Sequence, residues 1–153
     1  MQSTHLPRSY IARWLVLGGF LTCLAVLGPT APIRGGDSYS FTIRADWFDR
    51  ANIRISPPGQ EYADKYPCIW NAWNQPNQAE YDLDFPVEAD YELLVLYAAQ
   101  ESRPMEIHLD GTKIHLGIAT TTGSWQTSTA QWEKQCTVHV TAGRHTLKLL
   151  CPG

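Results

Sequence analysis

Residues 79–85 alternate apolar and polar or acidic side chains without a fault, and a period of two admits a half-buried β-strand and little else. Tyr81, Leu83 and Phe85 fall on the inward side, Glu80, Asp82 and Asp84 on the outward side. Pro86 closes the strand, since proline has no N–H to give to a ladder. Residues 39–43 alternate in the same way and predict a strand ending near Ala45. Residues 91–98 are almost continuously apolar, the pattern of a strand buried on both faces.

Between two such segments stands Asp110-Gly111, a strong signal for a two-residue hairpin, because a type I′ turn needs positive φ at both central positions. This turn predicts the pairs Leu109 with Thr112, Ile107 with Ile114 and Glu106 with His115. Ile107 and Ile114 then share the core face, while Glu106, His108, Lys113 and His115 share the other. Residues 135–141 and 144–150 predict a second hairpin around Ala142-Gly143, with Cys136, Val138 and Val140 alternating against Thr137, His139 and Thr141. Short, closely spaced strands with no amphipathic helix and no internal repeat imply an antiparallel β-sandwich.

At 153 residues, 44% hydrophobic and 18% charged, the chain can bury one core and is too short for two ordinary domains. Arg8 and Arg13 precede an apolar run over residues 14–27, followed by Gly28-Pro29-Thr30-Ala31, in the order of a secretory signal. Residues 1–31 are therefore read as a signal peptide or an N-terminal anchor, 32–38 as a short linker and 39–153 as the sandwich. This reading places the protein outside the cytoplasm. Without residues 1–31, ten basic residues face fifteen acidic ones, a net charge of about −5. That balance, with no Lys/Arg cluster, excludes nucleic acid as a partner. Cys68, Cys136 and Cys151 remain after the leader, so one disulfide of unknown pairing and one free thiol are expected in an oxidising compartment.

Residues 79–127 carry a strand, a Tyr-x-Leu strand ending in Tyr97-Ala98-Ala99, Arg103-Pro104, the Asp110-Gly111 hairpin and Thr122-Gly-Ser-Trp125-Gln126-Thr127. In combination they resemble the core of family 6 and family 35 carbohydrate-binding modules, and the likeness extends from Phe41 to about Leu150. The resemblance implies a jelly-roll β-sandwich of the galactose-binding type that binds a polysaccharide or glycan and has no catalytic role. No cofactor is implied beyond a structural calcium ion, for which Asp46 supplies one ligand. The family's partner residues on a later strand have no counterpart here, so a neighbouring domain or a partner chain is expected to supply a missing last strand.

Sugars are held by flat aromatic faces, with amides and carboxylates around the rim. The carbohydrate-binding candidates are Trp125, which matches the family's loop tryptophan, Trp73 and Trp70 as the second stacking ring, and Asn71 and Gln126 as hydrogen-bonding amides. A tryptophan beside a strand is more often packing than contact. Trp47 and Trp132 are assigned to packing on that ground. Asp82 and Asp84 read as solvated carboxylates rather than a glycosidase pair, and His108 and His115 as exposed histidines, with Lys113 repelling any cation between them. No nucleophile elbow or phosphate loop occurs. The competing class is a structural or protein-interaction sandwich without a sugar site.

Overall fold

The computed structural model describes the backbone of residues 9–15 and the full residues 40–71 and 76–152. Eleven strands follow in chain order: β1 (Ser9–Leu15), β2 (Ser40–Arg44), β3 (Arg50–Ala51), β4 (Arg54–Ser56), β5 (Cys68–Trp70), β6 (Asn77–Phe85), β7 (Ala89–Tyr97), β8 (Met105–Leu109), β9 (Thr112–Gly117), β10 (Gln131–Val140) and β11 (Gly143–Cys151). A 3-10 turn, Thr127–Thr129, precedes β10. Among the described residues there is no helix long and apolar enough to cross a membrane. Apart from the seven residues of β1, the segments read as leader and linker lie outside the described residues.

Two sheets face each other. Sheet A has the order β10-β7-β1-β2, sheet B the order β3-β6-β11-β8-β9, and β4 with β5 forms a separate ribbon. Every pair in sheet B is antiparallel, whereas β1 runs parallel to both its neighbours in sheet A. The predicted β-sandwich is observed. The core between the sheets is filled by the inward set of β6 (Tyr81, Leu83, Phe85), of β7 (Tyr91, Leu93, Val95), Ile107 of β8 and Leu147 and Leu149 of β11. Phe85 meets Tyr91 edge-on at 4.8 Å and Phe41 at 5.4 Å, the arrangement that ring quadrupoles favour.

The strand over residues 79–85 keeps its predicted faces, Tyr81, Leu83 and Phe85 being buried. The reading of residues 91–98 holds at its far end only: Glu92 and Leu94 are half-exposed, but Leu96 and Ala98 sink into a second, smaller core. That core belongs to the β4–β5 ribbon and its loop, which lay Ala63, Cys68 and Trp70 over the outer side of sheet A. On β2 the alternation is reversed in degree, with Thr42 more buried than Phe41 or Ile43.

Two predicted registers are corrected. At the Asp110-Gly111 turn both residues have positive φ, +49° and +79°, and Leu109 does face Thr112. Beyond His108↔Lys113 a bulge passes over Ile114, so Ile107 pairs with His115 and Glu106 with Leu116. The extra residue changes the count on one strand only, which no turn signal can announce. The second predicted hairpin does not form. β10 pairs with β7 in sheet A, β11 with β6 and β8 in sheet B, and Thr141 and Ala142 carry the chain across the sandwich. Two adjacent alternating segments look the same whether they pair with each other or with strands of opposite sheets.

Candidate functional site

Strand directions bring four loops to one end of the sandwich. β2 ends at Arg44, in register through Leu15 with Leu96 near the end of β7, and β10 begins opposite Tyr97 and Leu96. Sheet B meets the same end where Met105 faces Gly117 and Cys151 faces Asn77. The loops after β2, β5, β7 and β9 therefore lie together, and they hold Trp47, Asn71, Arg103, Trp125 and Gln126.

The loop between β9 and β10 is fixed by two sets of hydrogen bonds. Thr122 N–H donates to Ala99 O at 2.7 Å while Ala99 N–H donates to Thr122 Oγ1 at 2.8 Å. At the other side, Thr127 Oγ1 accepts from the N–H groups of Lys65 and Tyr66 and donates to Asp64 Oδ1 at 2.8 Å. Burial pulls the Asp64 carboxyl up, yet the bonds from Ser128 and Thr127 outweigh it and leave it below its ordinary range. A loop held at both ends fixes the tryptophan between them.

Trp125 is half-buried and packs against the main core. The Arg103 guanidinium lies 5.1 Å from its ring centroid, a cation–π contact, and is itself bonded by Glu101. Gln126 is exposed, its backbone N–H donating to Ser124 Oγ. Asn71 is half-buried and its amide donates to Cys151 Sγ at 3.6 Å. Trp73 lies outside the described residues.

Trp70 is placed differently from the expectation. It is 4% exposed, donates its indole N–H to Ser56 Oγ at 3.0 Å, meets Tyr62 edge-on and lies under the Arg54 guanidinium. Its β-strand position in the small ribbon makes it the centre of the second core, with no open face for a sugar. The opposite correction applies to the two tryptophans assigned to packing. Trp47 is 59% exposed, with Arg44 5.5 Å from its ring, and Trp132 is 45% exposed on the outer side of β10. Glu133 explains the latter. It points inward to accept from Tyr97 Oη at 2.5 Å and Thr120 Oγ1 at 2.6 Å, which turns Trp132 outward. No alternation count finds this, because an inward-facing, half-buried carboxylate breaks the apolar period.

That inward cluster stands just behind the loops. Burial, then the neighbouring carboxylate, pushes the Tyr97 hydroxyl up to about 12. Burial pulls Glu133 up as well, but the bonds from Thr120, Tyr97 and Gln135 together hold it below the usual range. Gln135 Oε1 accepts from Ile118 N–H at 2.7 Å, tying the start of the loop to β10.

Asp46 is bound by Arg44 on both carboxylate oxygens, at 2.8 and 2.6 Å. Among the described residues no group of three or more His, Cys, Asp and Glu gathers at one point. Cys68, Cys136 and Cys151 are unbridged, with Cys68 and Cys151 buried in separate cores. Asp82 is not merely solvated: Arg50, Thr146 and Arg144 all bond it and hold it well below the carboxylate range, whereas Asp84 is exposed. His108 is largely covered and bonded to Glu106, which Lys113 also bonds, so these three share a face as predicted. The bulge moves His115 beside Gly117 and away from them.

Neither a protein-family model nor a curated protein sequence matches the chain. Solved structures do. The family 35 carbohydrate-binding module of Paenibacillus barcinonensis aligns over 71% of this chain and 85% of its own, with a TM-score of 0.56 at 21% identity. A family 35 carbohydrate-binding module from Clostridium thermocellum aligns over 67% and 77%, TM-score 0.51, 18% identity. The chain has the fold of a carbohydrate-binding module. The same fold matches part of a Paenibacillus sp. cycloisomaltooligosaccharide glucanotransferase complexed with cycloisomaltoheptaose, over 71% of this chain and 15% of the enzyme, TM-score 0.53, 19% identity.

Proposed function

We propose that this sandwich is a non-catalytic module that binds a polysaccharide or glycan at the loop end, outside the cytoplasm. The observation that carries this reading is Trp125, a half-buried ring steadied by Arg103 in a loop pinned on both sides. A stacking ring that is already ordered loses little conformational freedom when the ligand arrives. Gln126 and Asn71 are the amides that meet the sugar hydroxyls, and Trp73 stays in the proposal from sequence. Trp47 joins them as a solvent-facing ring at the same end. Trp70 leaves the set.

Two of the carboxylates support a reading without turnover. Asp82 is committed to Arg50, Arg144 and Thr146, and Glu133 to Tyr97, Thr120 and Gln135, so neither is poised to protonate a leaving group. The chain is tested on a glycan array and insoluble polysaccharides beside Trp125→Ala, with folding of both checked by circular dichroism. We expect binding by the parent, at least a tenfold loss in the folded variant, and no release of reducing sugar. A folded parent that binds no glycan overturns the proposal and favours a docking or structural sandwich.

A further inference from the structure

Two partly exposed rings stand at the loop end, and each carries a guanidinium. Arg103 lies 5.1 Å from the centroid of Trp125, and Arg44 lies 5.5 Å from that of Trp47. In both cases the cation is held by a carboxylate two residues away in the chain. Arg44 donates from Nε and Nη2 to the two oxygens of Asp46, at 2.8 and 2.6 Å. Arg103 donates from Nε to Glu101 Oε1 at 2.7 Å, and its Nη2 reaches the same oxygen. A guanidinium offers a planar fork of N–H donors that fits a carboxylate, and here each fork is already turned to one of the protein's own.

The other charges beside these loops follow the same pattern. Lys65, whose ammonium lies 5.0 Å from the Tyr66 ring, follows Asp64 in the chain, and Asp64 is itself bonded by the Thr127 hydroxyl and the Ser128 N–H. Glu133 adds an inward carboxylate, bonded by Tyr97 and Thr120. Arg44, Lys65 and Arg103 are thus answered one for one by Asp46, Asp64 and Glu101, with Glu133 in excess. The net charge of the whole chain is −3, so no positive field from elsewhere adds to them. The side chains proposed to meet the sugar hydroxyls, Gln126 and Asn71, are uncharged amides.

We propose that the loop end takes uncharged glycans and turns away anionic ones, and that Glu101 and Asp46 are the residues that set this preference. The proposal rests on the glycan-binding reading and names its ligand class. A uronate carboxylate brought over Trp125 meets a guanidinium that is already bound, with Glu101 beside it. Repulsion then stands where an arginine without that neighbour would supply a two-point bond. A neutral sugar loses nothing by the pairing, since its apolar face needs the ring and its hydroxyls need the amides. Specificity of this kind comes from penalising one class of ligand rather than from adding contacts to the other. The Arg103–Glu101 pair is exposed on both sides and adds little to stability, so the preference can be altered without unfolding the protein.

The full chain is titrated with glucan, mannan and galactan oligosaccharides, each beside the form in which its primary alcohols are oxidised to carboxylates. In whichever series binds, the neutral form is expected to bind at least tenfold tighter than the oxidised one. Its affinity should change less than twofold between about 50 mM and about 500 mM salt, because no ion contact holds it. Glu101→Gln should cut the neutral-to-oxidised ratio at least fivefold and make binding of the oxidised form weaken as salt rises. Asp46→Asn, as a second variant, should cut the ratio at least twofold. Equal or tighter binding of the oxidised form by the parent overturns the proposal and leaves glycan binding in place, as does a ratio unchanged in whichever variants fold by circular dichroism. A parent that binds no member of the series in either form overturns the ligand class and the glycan-binding reading together.

Discussion

The two sheets solve the problem of edges differently. Sheet B joins five strands by antiparallel ladders, and its interior strands β6, β11 and β8 all come from within residues 77–151. Sheet A has a parallel strand in its interior that comes from far up the chain, and among the described residues β2 is hydrogen-bonded into the sheet through that strand. The described strands of sheet B thus all lie within the segment that carries the sugar-module likeness, whereas sheet A includes one from outside it. The two halves of one sandwich need not be equally stable.

The largest effect is expected where sheet B meets the core. Ile107→Ala removes a fully buried side chain from β8 and should cost about 3–4 kcal/mol in chemical denaturation. Phe41→Ala on β2 removes a larger but half-exposed ring and should cost about 1–2 kcal/mol, discounted for its exposure, with amide exchange rising in residues 40–44 rather than throughout. Equal and global losses from both would mean that the sheets unfold as one.

The seam between the sheets is tested at Gly117. A Cβ added there would stand 2.1 Å from Gln135 Oε1 and 2.7 Å from the His115 ring, so Gly117→Ala should cost about 1–3 kcal/mol by thermal melting and disturb the Ile118–Gln135 bond. Next in size, Thr127→Ala deletes an oxygen that accepts from two N–H groups and donates to Asp64. It should cost about 1–2 kcal/mol and weaken glycan binding several-fold with Trp125 intact. Unchanged affinity would show that the pinned loop is not what positions the ring.

The smallest effects separate the sheets by pH. On sheet B, Asp82 is held low by Arg50, Thr146 and Arg144; a lowered folded-state value stabilises above the ordinary carboxylate range, about pH 4, and is lost as pH falls through the folded value. Asp82→Asn should flatten the acid limb of the melting curve. On sheet A, His139 is raised by Asp90 and then Glu88. Its contribution is full below the ordinary histidine value, about 6.5, and is lost as pH rises through the raised one, so His139→Gln should flatten the neutral limb.

Most of sheet B was legible because its strands alternate and its tightest turn uses Asp110-Gly111, both local signals. The failures are all non-local. The bulge after His108 needs a partner strand to exist, and the crossing at Thr141-Ala142 depends on which sheet has room. At the loop end the sequence picked out Trp125, Asn71 and Gln126 by place. It misassigned Trp70 and Trp132 because burial depends on what covers a residue. For Trp70 the cover is the ribbon's own Ser56 and Tyr62; for Trp132 the inward place is taken by Glu133.

The place of β11 bears on how the chain is made. It is the last described strand and stands in the middle of sheet B, flanked by β6 and β8. As the polypeptide leaves the ribosome, β6 and β8 emerge with no partner between them, and neither ladder closes until residues 143–151 follow. The two central ladders of sheet B therefore close last, distant contacts that form more slowly than the local β8–β9 hairpin. During that wait the exposed flanks of β6 and β8 are what a chaperone would recognise.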